Sequence, residues 1–128
     1  MVGTVSLLAR RYVGCTVYEV HWTSDASGNA SDWLDIQGVL DHAVTVPDSV
    51  AAPTTLYDIT LKDRQGVDHL SALLANRSAT AVEVVDLYRA SAAADRHEEV
   101  WVRCPSLFAV AAAGNVKKGL CVFYALAR

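Results

Sequence analysis

Leu56-Tyr57-Asp58-Ile59-Thr60-Leu61-Lys62-Asp63-Arg64-Gln65-Gly66-Val67-Asp68 alternates apolar and polar residues and then runs into an acidic turn containing glycine. Tyr57, Ile59 and Leu61 fall on one side of a pleat, and Asp58, Thr60 and Lys62 fall on the other. This is the period-two pattern of a strand with one buried face. Asp63 to Gly66 supplies residues that reverse the chain easily, so the stretch predicts a β-hairpin.

The same alternation recurs on both sides. Thr4 to Tyr12 and Cys15 to Thr23 read as strands joined near Gly14, the second with Tyr18, Val20 and Trp22 on one face. The run Ser24 to Asp32 is rich in side chains that bond their own backbone and reads as a loop. Trp33 to Val46 resumes extended character, with Leu40, His42, Val44 and Val46 on one parity, and Pro47 and Pro53 bound the linker that follows. Leu70, Leu73, Leu74 and Arg77 stand at i, i+3, i+4 and i+7, which predicts one short helical segment. Further strands are expected within Ser78–Leu87 and Glu99–Cys104, and a closing hairpin from Leu107–Ala113 and Leu120–Leu126. The last of these is apolar on both faces, as a strand in mid-sheet or at a subunit interface would be. About seven or eight short strands with turns between them imply an all-β, antiparallel sandwich or barrel, a single domain over residues 1–128.

Composition narrows the function. A chain of 128 residues, 52% apolar and 20% charged, can bury a core, and its net charge of −3 gives no general attraction to nucleic acid or an anionic membrane. No run of about 18 apolar residues is present. The start lacks the order of a secretory signal, so the chain is expected to mature where it is made. Asp25, Ser27, Asn29 and Asp32 imitate the opening of a calcium loop, but Ala30 and Ile36 stand where the glycine and the closing acid are needed. His21, His42, His69 and His97 are scattered, and no nucleophile elbow, phosphate-cradling loop or Cys-x-x-Cys occurs. Neither a cofactor nor catalysis is expected. Cys15, Cys104 and Cys121 leave two readings open: buried free thiols, or one disulfide with a residue left for a neighbouring subunit. Trp22, Trp33 and Trp101 are expected as core or interface anchors. The mixed charges of Arg96 to Glu99, and Lys117 and Lys118, read as solvated surface.

Three segments in order carry a resemblance. They are His21-Trp22-Thr23-Ser24-Asp25-Ala26-Ser27-Gly28; Tyr57 to Asp68 together with Ala75-Asn76-Arg77-Ser78-Ala79-Thr80; and Ala113-Gly114-Asn115-Val116-Lys117-Lys118-Gly119. As a set they resemble small structural proteins encoded among the virion genes of tailed bacteriophages. The resemblance implies a non-catalytic virion component, assembled in the host bacterial cytoplasm, and foremost a head decoration or cement protein bound to the major capsid protein or another virion protein. It also implies a homo-oligomer, a trimer if the chain caps threefold positions. Trp33, Tyr88, Trp101, Phe123 and Tyr124 are the expected interface residues. A neck or tail component, or a host-recognition module with a carbohydrate-binding shelf built from Trp33 and Tyr88, are the alternatives.

Overall fold

The fold follows from strands that each carry one apolar side and must bury it against another layer. A computed structural model describes residues 3–90, 97–103 and 105–126. Among these, β1 (Thr4–Tyr12), β2 (Cys15–Thr23), β4 (Gly38–Pro47), β6 (Glu83–Asp86), β7 (Tyr88–Ala90), β8 (His97–Val102) and β10 (Lys118–Leu126) form one antiparallel sheet. The strands β3 (Ala30–Leu34), β5 (Asp58–Lys62) and β9 (Ser106–Ala111) form a second. The larger sheet runs β1-β2-β10-β4-β8-β7, with β6 also paired to β4, and the smaller runs β3-β9-β5. The two pack face to face as a β-sandwich.

The buried cluster joins both layers. Tyr18, Val20 and Trp22 of β2 and Cys121, Phe123 and Ala125 of β10 share it with Ile59 and Leu61 of β5 and Phe108 and Val110 of β9. Trp22 and Tyr57 meet with ring centroids 5.4 Å apart, and Phe108 meets Phe123 edge-on at 6.3 Å. The Trp22 indole lies directly over Gly119 on the neighbouring strand, so a Cβ there would collide with the ring.

Carboxylates and hydroxyls tie the loops to this core. Asp68 accepts backbone N–H bonds from Leu61, Leu70 and Ala72 at 3.0–3.1 Å, and Asp58 accepts one from Asn76. The Ser24 hydroxyl donates to the Gly114 carbonyl at 2.7 Å and accepts from the Lys117 N–H at 2.8 Å. There the loop ending at Gly28, whose φ is +86°, presses against the Gly114 backbone. The three segments that carry the family resemblance are therefore largely spent on holding loops to strands.

Several expectations need correction. Leu70–Arg77 is not helical. Ser71 and Ala72 both have positive φ, so a right-handed helix cannot continue through them, and the segment forms three-residue-step turns such as Leu73 N–H to Leu70 C=O at 2.9 Å. It runs along the free side of β5, bonding Leu56, Tyr57 and Ile59, while the preceding His69 N–H donates to Leu61, so the opening stretch has a strand on its first arm and an irregular return. The closing hairpin is a crossover instead: β9 belongs to the smaller sheet and β10 to the larger. On β4, a bulge at Asp41 shifts the register between Tyr124 and Ala125, so Leu40 points inward while His42 and Val44 point outward. Trp33 to Val46 is two strands in different sheets rather than one extended run.

Two buried acids make the core sensitive to alkali. Burial pushes the Tyr57 hydroxyl up to about 12, and it raises the Cys121 thiol as well. The Tyr57 and Thr45 hydroxyls lie near each other without a well-formed hydrogen bond, and the Trp22 indole N–H is also unpartnered. A raised pKa means the folded chain holds its proton more tightly than the unfolded one. The tyrosine's contribution is thus complete below its ordinary value of 10.0 and disappears as pH climbs through about 12.

Two outcomes follow. In urea titrations across pH, Tyr57→Phe should lose less stability than the parent between pH 10 and 12, and at pH 7 it should match or exceed the parent by up to about 1 kcal/mol, because an unpaired buried hydroxyl is removed. A clear loss at pH 7 would instead reveal a hydrogen bond to that hydroxyl. Gly119→Ala should destabilise by about 1–3 kcal/mol in the same assay through collision with Trp22.

Candidate functional site

The outward side of the larger sheet is built by residues that alternate with the core set. Strand register places Leu8, Glu19, Val122, Val44 and Val84 in one row, and Arg10, Val17, Tyr124, His42 and Asp86 in the next. A third row holds Ser6, His21, Leu120 and Val46. At about 4.8 Å per strand, the first two rows span about 19 Å. Apart from Glu19 on β2, apolar side chains make the first row a stripe, with Leu8 46% and Val84 68% exposed at its ends and Val122 only 8% exposed in its middle.

Charges border the stripe and are already organised. The Arg10 Nε donates to Glu19 at 2.8 Å, and this bond raises the arginine's pKa further. His42 stacks on Tyr124 with centroids 4.2 Å apart and planes 14° from parallel, and its Nδ1 lies 2.7 Å from Asp41. Two hollows open on this face. One, of about 520 Å³, is lined by Arg10, Tyr12, Val17, Glu19, Val122 and Tyr124. The other, of about 550 Å³, lies at the opposite end of the strands around His21, Pro47, Lys118 and Leu120. Aliphatic surface ringed by paired charge suits adhesion to another macromolecule, since the apolar centre gains by losing water and the rim supplies directional bonds.

The residues expected at an interface do not gather in one place. Tyr124 is on the stripe. Phe123 is not available: its side chain points the other way and is fully buried against Phe108, because adjacent residues of a strand face opposite sides. Trp33 is 49% exposed on β3 of the smaller sheet, and Trp101 is 39% exposed at the end of β8 with the Arg103 guanidinium 4.9 Å above its ring. Tyr88 pairs with Glu99 between β7 and β8, in a different sheet from Trp33, and its side chain lies outside the described part of the structure.

Cys15 and Cys121 are free thiols. Cys15 sits opposite Leu126, five residues along β10 from Cys121, a separation of about 17 Å that no disulfide spans. Cys104 and Arg96 lie outside the described residues. The Asp25 carboxylate accepts the N–H groups of Ser27 and Asn29 and so shapes its own turn. The described residues contain no group of three or more side chains able to hold a metal, and no helix among them is long and apolar enough to cross a membrane.

Leu8, Arg10, Val17, Glu19, Val44 and Val84 were not singled out by the sequence. Each strand shows their parity, but they become neighbours only through pairings between distant segments. No family model, curated protein or solved structure matches this chain.

Leu8→Lys and Val84→Lys should leave the unfolding free energy in urea within about 0.5 kcal/mol of the parent, because the side chains are 46% and 68% exposed. A larger loss in either would mean that the stripe packs within its own chain and is not free to dock.

Proposed function

We propose that this chain is a structural component of a tailed-bacteriophage virion, a head decoration or cement protein that binds the assembled capsid shell. The observation that carries the reading is the row from Leu8 to Val84, apolar on four of its five strands and exposed at both ends, on the side of the larger sheet that faces away from the core. The resemblance of three segments to phage virion proteins supports the same reading.

A rigid two-layer domain suits such a role. Its docking face lies on paired strands and its loops are tied down by side-chain hydrogen bonds, so the face is organised before binding and little ordering cost falls on association. Repetition over a symmetric shell then turns modest single-site affinity into durable attachment. The partner is the major capsid protein or a neighbouring virion protein, and the chain acts as a homo-oligomer.

Purified protein mixed with undecorated heads should sediment with them and raise their resistance to heat, whereas Val84→Lys at equal concentration should bind at least tenfold more weakly. Parent protein that ignores heads but binds tails would reject the decoration role.

A further inference from the structure

Away from the stripe, one cavity and one exposed segment have matching chemistry. The cavity, of about 570 Å³, lies where the turn after β5 meets the end of β8 and the start of β9. Arg64, His69, Trp101, Arg103 and Pro105 line it. Its walls combine two guanidinium groups with an indole and a proline ring. Neither arginine has a carboxylate partner among the described residues. One acid, Asp63, stands at the rim, its Oδ1 accepting the N–H groups of Gln65 and Val67 and closing the turn, so two arginines face one carboxylate. Arg103 is held over the Trp101 ring, so a cation is fixed at the mouth at little further entropic cost.

The segment is Asp32-Trp33-Leu34-Asp35. Leu34 anchors it in the core, while Trp33 stands half out of the protein with exposed Asp35 on the same parity of the strand. Asp35 accepts the Gln37 side-chain amide at 2.8 Å, so its carboxylate is oriented with an oxygen to spare. An indole with a carboxylate beside it is what a basic, aromatic-walled cavity accommodates. Trp33 does not line the cavity of its own chain. Segment and cavity nevertheless lie side by side, for Leu34 pairs with Ser106 at the cavity's edge and Trp33 with Leu107.

We propose that two copies of this chain associate about a twofold axis, each placing Trp33 and Asp35 in the Arg64–Arg103 cavity of the other. A knob beside its own kind of hole is the arrangement an isologous contact needs, because one rotation satisfies both at once. Tryptophan and arginine are also the residues that most often dominate interface energetics. The inference rests on the reading of the chain as an assembling structural protein and names the contact through which copies meet. It leaves the outer stripe free for the shell.

The test is sedimentation velocity at low and moderate salt on the full chain. The parent should sediment at twice the monomer mass, and Trp33→Ala, Asp35→Arg and Arg103→Asp should each weaken association at least tenfold while keeping the parent's circular dichroism. Mixing Asp35→Arg with Arg103→Asp should restore the dimer, since each swapped charge then meets its opposite. A monomeric or threefold parent, or a mixture that stays monomeric, overturns the proposal. Binding of the monomeric variants to heads is scored separately: retained binding with lost dimerisation leaves the decoration reading standing, while a dimer that fails to bind heads rejects that reading and not this one.

Discussion

The Trp22 indole lying on Gly119 and against Tyr57 is the contact on which the architecture turns. It joins three distant parts of the chain: β2, β10 and the segment that leads into β5 of the opposite sheet. Only a residue without a side chain permits the ring to sit that close to β10. With the ring in place, β10 lies between β2 and β4 and the larger sheet acquires its width. The outward rows inherit their order from that pairing, so a surface feature depends on a buried one.

The polar residues have a complementary task. A loop that crosses between sheets leaves backbone groups that water cannot reach, and each must find a partner. Ser24 supplies two part-buried bonds where β10 begins, and Asp68 supplies two more beside β5 and a third, exposed one to Ala72. These side chains are short and local in reach, which explains why segments rich in Asp, Ser and Gly mark this fold without forming a reactive centre.

Local pattern disclosed much of this. The bounds of β1 and β2 are plain from alternation, and Tyr57, Ile59 and Leu61 are all fully buried, as their parity requires. The mid-sheet place of β10 follows from its two apolar faces. Non-local events stayed hidden. The bulge at Asp41 reverses inside and outside for His42 and Val44, and no composition announces it. The helical spacing from Leu70 to Arg77 is real, yet Ser71 and Ala72 turn left-handed, which a right-handed helix does not accommodate. Of the expected interface residues, Tyr124 reaches the stripe while Phe123 is buried, because parity within one strand does not say which side the rest of the chain will cover.

The account's central claim is that the outward face of the larger sheet is the surface that meets the virion. Hydrogen–deuterium exchange, comparing free protein with protein bound to heads, addresses it most directly. Added protection should fall on β1 and β6, which carry the exposed ends of the stripe. Protection confined to the smaller sheet, or none on binding, would contradict it.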